Sequence, residues 1–230
     1  MQNNNQEAYV QLSADKTILT FYYDTLRAER DGTLWGIGET KEDSFSKYYA
    51  WTGTFESPNT SVLTAVFDAS FREFRPTSTE VWFYSLESLT NIKGFEHLNT
   101  SQVTDMSGMF LGCSSLTEID LSHFDTSQVT NVNGMFMECS SLTALDLASF
   151  DTSKVTNMGA MFKDCKGLTT LDLSNFDTAK VTDMSYMFMG CSNLTTLDLS
   201  HCNTSQVTTM YKMFVACSSL TEIEIGRAHV

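Results

Sequence analysis

The sequence predicts an α/β fold: a repeat solenoid with a parallel β-sheet on one side, short helices on the other, and a β-rich cap at its N-terminal end. Three observations carry this. Val103, Val129, Val155, Val181 and Val207 recur every 26 residues, as do Phe110, Phe136, Phe162, Phe188 and Phe214. Cys113, Cys139, Cys165, Cys191 and Cys217 keep the same interval. Inside each unit the apolar pattern switches from a period of two to a helical one. A fixed period of this size marks stacked units, none of which can bury its apolar face alone.

The unit from Leu142 to Leu168 shows the logic. Leu145 and Leu147 alternate with Asp146, as a strand with one buried face requires. Asp151-Thr152-Ser153 breaks the alternation with side chains that bond nearby backbone and favour turns. Met158, Met161, Phe162 and Cys165 then sit at i, i+3, i+4 and i+7, the apolar face of a short helix. Thr156 or Asn157 is the expected N-cap.

Taken in order, residues 1–7 are polar and rich in Asn and Gln and read as a disordered lead-in. They lack the basic and apolar regions of a signal peptide, and the chain has no apolar run long enough for a transmembrane helix. Residues 8–62 read as the cap: a hairpin of Ala8–Leu12 and Thr17–Tyr23, then an irregular segment holding Trp35, Tyr48, Tyr49 and Trp51. These aromatics fit either a carbohydrate platform or a cover for the open end of the first repeat, and the cover is preferred. Repeats are expected over 63–225, with strands opening at Leu63, Leu89, Leu116, Leu142, Leu168, Leu194 and Leu220. In the first unit Trp82-Phe83 takes the Met-Phe place, and an extra residue falls within Ile92 to Leu98 as a small bulge. Residues 226–230 form a non-native-looking tail with no capping unit, so self-association through the uncapped last repeat is expected.

The units FDTSQVTNVNGMFMECSSLTALDLAS and FDTSKVTNMGAMFKDCKGLTTLDLSN resemble the BspA-like family of bacterial surface proteins, whose 26-residue repeat is a variant of the leucine-rich repeat. The Met-Phe-x-x-Cys and Leu-Asp-Leu-Ser elements carry the resemblance from about Leu89 to Glu224. It implies a leucine-rich-repeat-type solenoid, a place at the cell surface or in the secreted fraction, and adhesion to a host or neighbouring-cell protein or glycan. Since such proteins carry an export signal, the chain is expected to be a fragment or to start downstream of its true beginning.

Composition narrows the function. The formal net charge is −14 and only 18% of residues are charged. Nucleic-acid binding needs clustered Lys and Arg to displace counterions, so nucleic acid and anionic membrane surfaces are excluded as partners, and no membrane insertion is expected. No nucleophile has an adjacent His, no glycine-rich phosphate loop occurs, and neither Cys-x-x-Cys nor His-x-x-x-His is present. The chain therefore reads as a non-enzyme without metal or cofactor. The cysteines read as six free thiols, buried as small hydrophobes, because packed helices of adjacent units lie too far apart to bridge. Cys202 replaces a Phe and is expected to point inward.

The candidate binding residues are Asp120, Asp146, Asp172 and Asp198, one per unit and alternating with buried residues, together with Thr170, Thr196, Ser174 and Ser200. Strands about 4.7–4.9 Å apart would set these carboxylates in a ladder. Like charges at that distance raise each other's pKa and attract cations. Two readings follow: a binding face for a basic partner or weakly held divalent ions, or a solvated face that resists aggregation. His97, His123 and His201 are read as surface residues. The rival to an adhesive role is a rigid spacer within a larger surface protein.

Overall fold

The computed structural model describes residues 6–42 and 47–225. Most of the lead-in and all of the tail proposed above lie outside them. The N-terminal strands are β1 (Glu7–Leu12), β2 (Ile18–Asp24), β3 (Thr33–Gly36), β4 (Thr40–Glu42) and β5 (Lys47–Tyr49). They are followed by β6 (Thr64–Phe67) and β7 (Asn91–Lys93), and near the other end by β8 (Thr196–Leu199) and β9 (Glu222–Ile225). A five-stranded sheet runs β3-β1-β2-β6-β7. Its β1–β2 and β1–β3 pairs are antiparallel, while β2–β6 and β6–β7 are parallel. The hairpin therefore continues the repeat sheet across the boundary at residues 62/63. The fold is rich in strands and holds only short 3-10 turns as helix among the described residues.

The register of the first unit differs from expectation. Thr64 pairs with Asn91 and Ala65 with Ile92, an offset of 27. Val62, fully buried, takes the inward place assigned to Leu63, which is 45% exposed. The extra residue of the next unit is absorbed by a 3-10 turn at Phe95–His97, entered through Gly94 at φ 64°.

The expected helices are absent. Met106, Met109, Phe110 and Cys113, and their copies through Cys191, are buried as the helical spacing requires, but the backbone that carries them is a chain of turns. Gly108, Gly134, Ala160, Tyr186 and Lys212 all have positive φ, as do Gly112, Glu138, Asp164, Gly190 and Ala216 four residues later. Alternating handedness turns every second amide out of the coil. Met106, Gly108, Phe110 and Gly112 donate to the carbonyls of Asn131, Asn133, Met135 and Met137 in the next coil, at 2.8–2.9 Å. The intervening amides close tight turns within the coil, as from Met109 to the Met106 carbonyl.

The same four forward bonds recur from Val132, Gly134, Phe136 and Glu138 to Asn157, Gly159, Met161 and Lys163, and at every later junction. A left-handed non-glycine residue costs about 1–2 kcal/mol. The coils hold from none to two of them, offset by four inter-coil bonds worth about 0.5–1.5 kcal/mol each. A lone helix of this length is marginal in any case.

The interior is a column of stacked rings. Phe110, Phe136, Phe162, Phe188 and Phe214 lie 5.7–6.0 Å apart between successive centroids, with interplanar angles of 2–9°. On the opposite wall the extended segments of the middle units are only sparsely bonded, as by Thr143 to Thr117, and a regular parallel pair forms at β8–β9. The continuous hydrogen-bonded wall is thus the turn side, the reverse of the expected arrangement.

The cap closes the carbonyl end of this stack. Trp51 Nε1 donates to the Trp82 carbonyl at 2.9 Å, Gly53 N–H to Tyr84 at 3.0 Å and Asn59 N–H to Ser85 at 2.9 Å. Gly53 has no room for a side chain: a Cβ there would lie 2.4 Å from Asn59 N and 2.6 Å from the Ser85 carbonyl. Trp51 stacks on Tyr49 at 4.3 Å and meets Phe21 edge-on at 6.2 Å. Trp51 is thus inner packing, and Trp35 and Tyr49 are partly buried against the same core.

Candidate functional site: the outer face of the extended segments

Asp120, Asp146, Asp172 and Asp198 are all exposed, one per coil, on the extended side. Thr170, Thr196, Ser174 and Ser200 are exposed beside them. In the β8–β9 pair Asp198 stands opposite Glu224, which extends the acidic line. The eight residues therefore share one face.

Each carboxylate has a local duty. Asp120 Oδ1 accepts the Ser122 N–H at 3.0 Å, Asp146 that of Ala148 at 3.0 Å, Asp172 that of Ser174 at 2.9 Å and Asp198 that of Ser200 at 2.7 Å. These Asx turns end each extended segment. They also reverse the expected titration. The Ser122 hydroxyl and amide hold Asp120 below the ordinary carboxylate range, and those of Ser200 do the same for Asp198. At Asp172 the Ser174 amide leads, its hydroxyl helps, and the neighbouring Asp198 opposes only weakly. Hydrogen bonds to the ionised form outweigh like-charge repulsion because the groups are open to water. Asp120, Asp172 and Asp198 therefore stay ionised to lower pH than a free aspartate would.

Two further columns run through the coils and were not recognised as bridges in the sequence. Thr100, Thr126, Thr152 and Thr178 are buried although each follows the half-buried Asn99 or an exposed Asp. Thr126 Oγ1 donates to the Asp151 carbonyl at 3.0 Å and accepts the Asp151 N–H at 2.8 Å. Each of these threonines ties its coil to the next. The cysteines are all free, and those at positions 113, 139, 165 and 191 are buried. They are more than small hydrophobes: Cys139 Sγ donates to the Phe110 carbonyl at 3.2 Å and Cys165 to that of Phe136 at 3.0 Å. Burial pushes the Cys139 and Cys191 thiols up to about 12. Cys202 is half-buried at the last coil.

The histidines do not assemble. His97 is tied, with Nδ1 at 2.9 Å from the Phe67 carbonyl and Nε2 at 2.7 Å from Arg72, whereas His123 and His201 are exposed. Among the described residues no group of three or more His, Cys, Asp or Glu side chains is placed to hold a metal ion. No helix is long and apolar enough to cross a membrane among those residues.

The class so defined is a strand-rich protein of stacked, repeated coils with an acidic, hydroxyl-rich outer face. Residues 77–170 and 146–225 match the family described as "Mycoplasma protein of unknown function, DUF285". The two matches together span residues 77–225, well over half the chain, and the chain belongs to that family. No curated protein matches it. Among solved structures, it is similar to the crystal structure of a leucine rich cell surface protein from Faecalibacterium prausnitzii A2-165, with 17% identity and a TM-score of 0.40. That likeness covers 97% of this chain and 54% of the other, so the chain spans about half the length of that protein.

Proposed function

We propose that the coil stack is a leucine-rich-repeat solenoid of the BspA-like type, displayed at a cell surface or secreted, and that it binds a protein or glycan partner through its acidic face without catalysis. The observation that carries this reading is the column Asp120, Asp146, Asp172 and Asp198, exposed at one position in four successive coils, with the exposed hydroxyls of Thr170, Ser174, Thr196 and Ser200 beside its last two members. Such a column offers a repeating pattern of charge and hydrogen-bond acceptors to a cationic or polyhydroxylated partner. Nucleic acid, an anionic membrane and a resident cofactor have no part in it.

The test is a glycan and surface-protein array probed with the whole chain and with an Asp146→Asn/Asp172→Asn variant. Asn accepts the same turn hydrogen bond, so the variant keeps the backbone and loses only charge. A partner bound by the parent and lost at least about tenfold by the variant supports the reading. Equal binding by both, or no partner at all, favours a rigid spacer.

A further inference from the structure

At the corner after an extended segment, one side chain reaches back to the coil before it. Ser149 Oγ donates to the Leu121 carbonyl at 3.2 Å, and Asn175 Nδ2 to the Leu147 carbonyl at 3.0 Å. His97 holds the same unit position and has the same duty, with Nδ1 at 2.9 Å from the Phe67 carbonyl. A carbonyl only accepts, so the ring proton is on Nδ1. Gly94 permits this approach, because a Cβ there would collide with the Phe67 oxygen. A hydroxyl or an amide would have sufficed for that bond. Imidazole brings a second nitrogen, and the lone pair of His97 Nε2 accepts from Arg72 Nη2 at 2.7 Å.

This bond orients a guanidinium without neutralising it. Arg27 and Arg30 lie 2.8–3.0 Å from the carboxylates of Glu7, Glu39 and Asp24. Arg72 and Arg75 form no ion pair among the described residues. Arg75 Nη1 donates to the Arg72 carbonyl, which sets a second cation beside the first. On a chain of net charge −14 this is a local cationic turn. It borders a cleft of about 320 Å³, at the lower end of the range of about 300–1,000 Å³ for small-molecule sites. Glu96, Asn99, His123 and Asp125 line the rest of the cleft, and its aliphatic lining residue, Leu98, is only 2% exposed. Asp125 Oδ1 accepts the Ser127 N–H at 3.0 Å, and its other oxygen has no partner among the described residues.

We propose that this cleft binds a sugar acid, a uronic or sialic acid residue of a glycan, with its carboxylate on Arg72 and its hydroxyls on Asn99, His123 and Asp125. With one N–H held by His97, the Arg72 guanidinium still presents a fork of parallel N–H groups to a carboxylate. Asp125 and Glu96 accept from neutral hydroxyls but repel a phosphate or a densely sulfated chain, so the ligand carries a single negative charge. The polar lining disfavours an apolar anion. His97 is a positioning residue that acts through Arg72. The cleft is separate from the Asp146 and Asp172 column, so the inference goes beyond the acidic-face reading and does not depend on it.

The test titrates the full chain with the methyl glycosides of glucuronic acid and of N-acetylneuraminic acid. NMR follows the Arg72 Nε–H and the ring protons of His97 and His123. Methyl glucoside supplies hydroxyls without charge, and acetate supplies charge without hydroxyls. At least one acid glycoside is expected to shift these signals saturably, with an affinity at least about tenfold above either control. Arg72→Lys, at an exposed position, keeps the charge, loses the fork and is expected to weaken binding about tenfold or more. His97→Asn retains a donor for the Phe67 carbonyl, as Asn175 does for Leu147, and removes the nitrogen that holds Arg72. It is expected to weaken binding with the unfolding midpoint unchanged. Asp146→Asn/Asp172→Asn is expected to bind the acid glycoside as the parent does, which separates this site from the acidic face. The proposal is overturned if neither acid glycoside shifts the signals at millimolar concentration, if acetate or methyl glucoside binds as tightly, or if Arg72→Lys or His97→Asn binds as the parent does.

Discussion

Replacing Thr126 by Val tests the buried threonine column at a single atom. Val keeps the branched shape of Thr but puts in place of the Oγ1 hydroxyl a methyl group, which can neither donate nor accept. That oxygen makes two bonds to one residue of the next coil: it donates to the Asp151 carbonyl at 3.0 Å and accepts the Asp151 N–H at 2.8 Å. Thr126 itself is only 2% exposed. Two bonds at about 0.5–1.5 kcal/mol each give a loss of about 1–3 kcal/mol, nearer the upper figure if Asp151 finds no water in exchange. The sequence supplies its own control. Thr204 occupies the same place in the last coil and is exposed, so Thr204→Val should change stability by no more than about 0.5 kcal/mol. Thr126→Ser keeps the hydroxyl and should fall between the two. Urea unfolding followed by circular dichroism measures all three from the shift in midpoint at constant slope. If Thr126→Val and Thr204→Val are equally mild, the hydroxyl does not join the coils and the reasoning fails.

Other consequences are open to measurement. Phe162 stacks between Phe136 at 6.0 Å and Phe188 at 5.8 Å, and Phe162→Ala should cost about 3–5 kcal/mol in the same unfolding assay. Gly134 has positive φ, and a Cβ there would meet nothing closer than Met137 at 3.7 Å. Gly134→Ala should therefore cost only the left-handed strain of about 1–2 kcal/mol, and Ala160→Gly in the next coil should recover part of the same strain. Six thiols should titrate in denaturant, but in the native chain at pH 8 the half-buried Cys202 and Cys217 should react well before Cys113, Cys139 and Cys165.

The carboxylates give a pH dependence of known sign. Asp120, Asp172 and Asp198 are held below their ordinary values in the fold. Their contribution is therefore complete above the unfolded-state pKa near 4 and is lost as the pH falls through the lower folded values. The midpoint of unfolding should decline below about pH 4. Asp172→Asn should flatten part of that decline, and an unchanged profile would contradict the turn assignment.

Much of this architecture was legible in the residues. The 26-residue interval placed Val103, Phe110, Cys113 and Leu116 in the interior, and all are buried. The Asp column was correctly placed outside. The helices were misread because Met158, Met161, Phe162 and Cys165 have helical spacing, and a chain of tight turns of alternating hand sets the same residues inward. One signal was available: Gly108 and Gly134 share a unit position, as do Gly112 and Gly190, and glycine there marks positive φ. Ala160, Tyr186 and Lys212 at the first of these positions masked it. The thiol donors and the threonine bridges were hidden for a different reason. Each depends on a carbonyl roughly one full unit away, and spacing within a unit does not reveal which backbone groups a neighbouring coil leaves to be satisfied.

The central claim is that alternate amides of each coil donate forward to the next. Scalar couplings transmitted through hydrogen bonds report such pairs directly in solution. They should link the amides of Val132, Gly134, Phe136 and Glu138 to the carbonyls of Asn157, Gly159, Met161 and Lys163. Couplings from those amides to carbonyls four residues back in their own coil would establish helices instead and contradict the account.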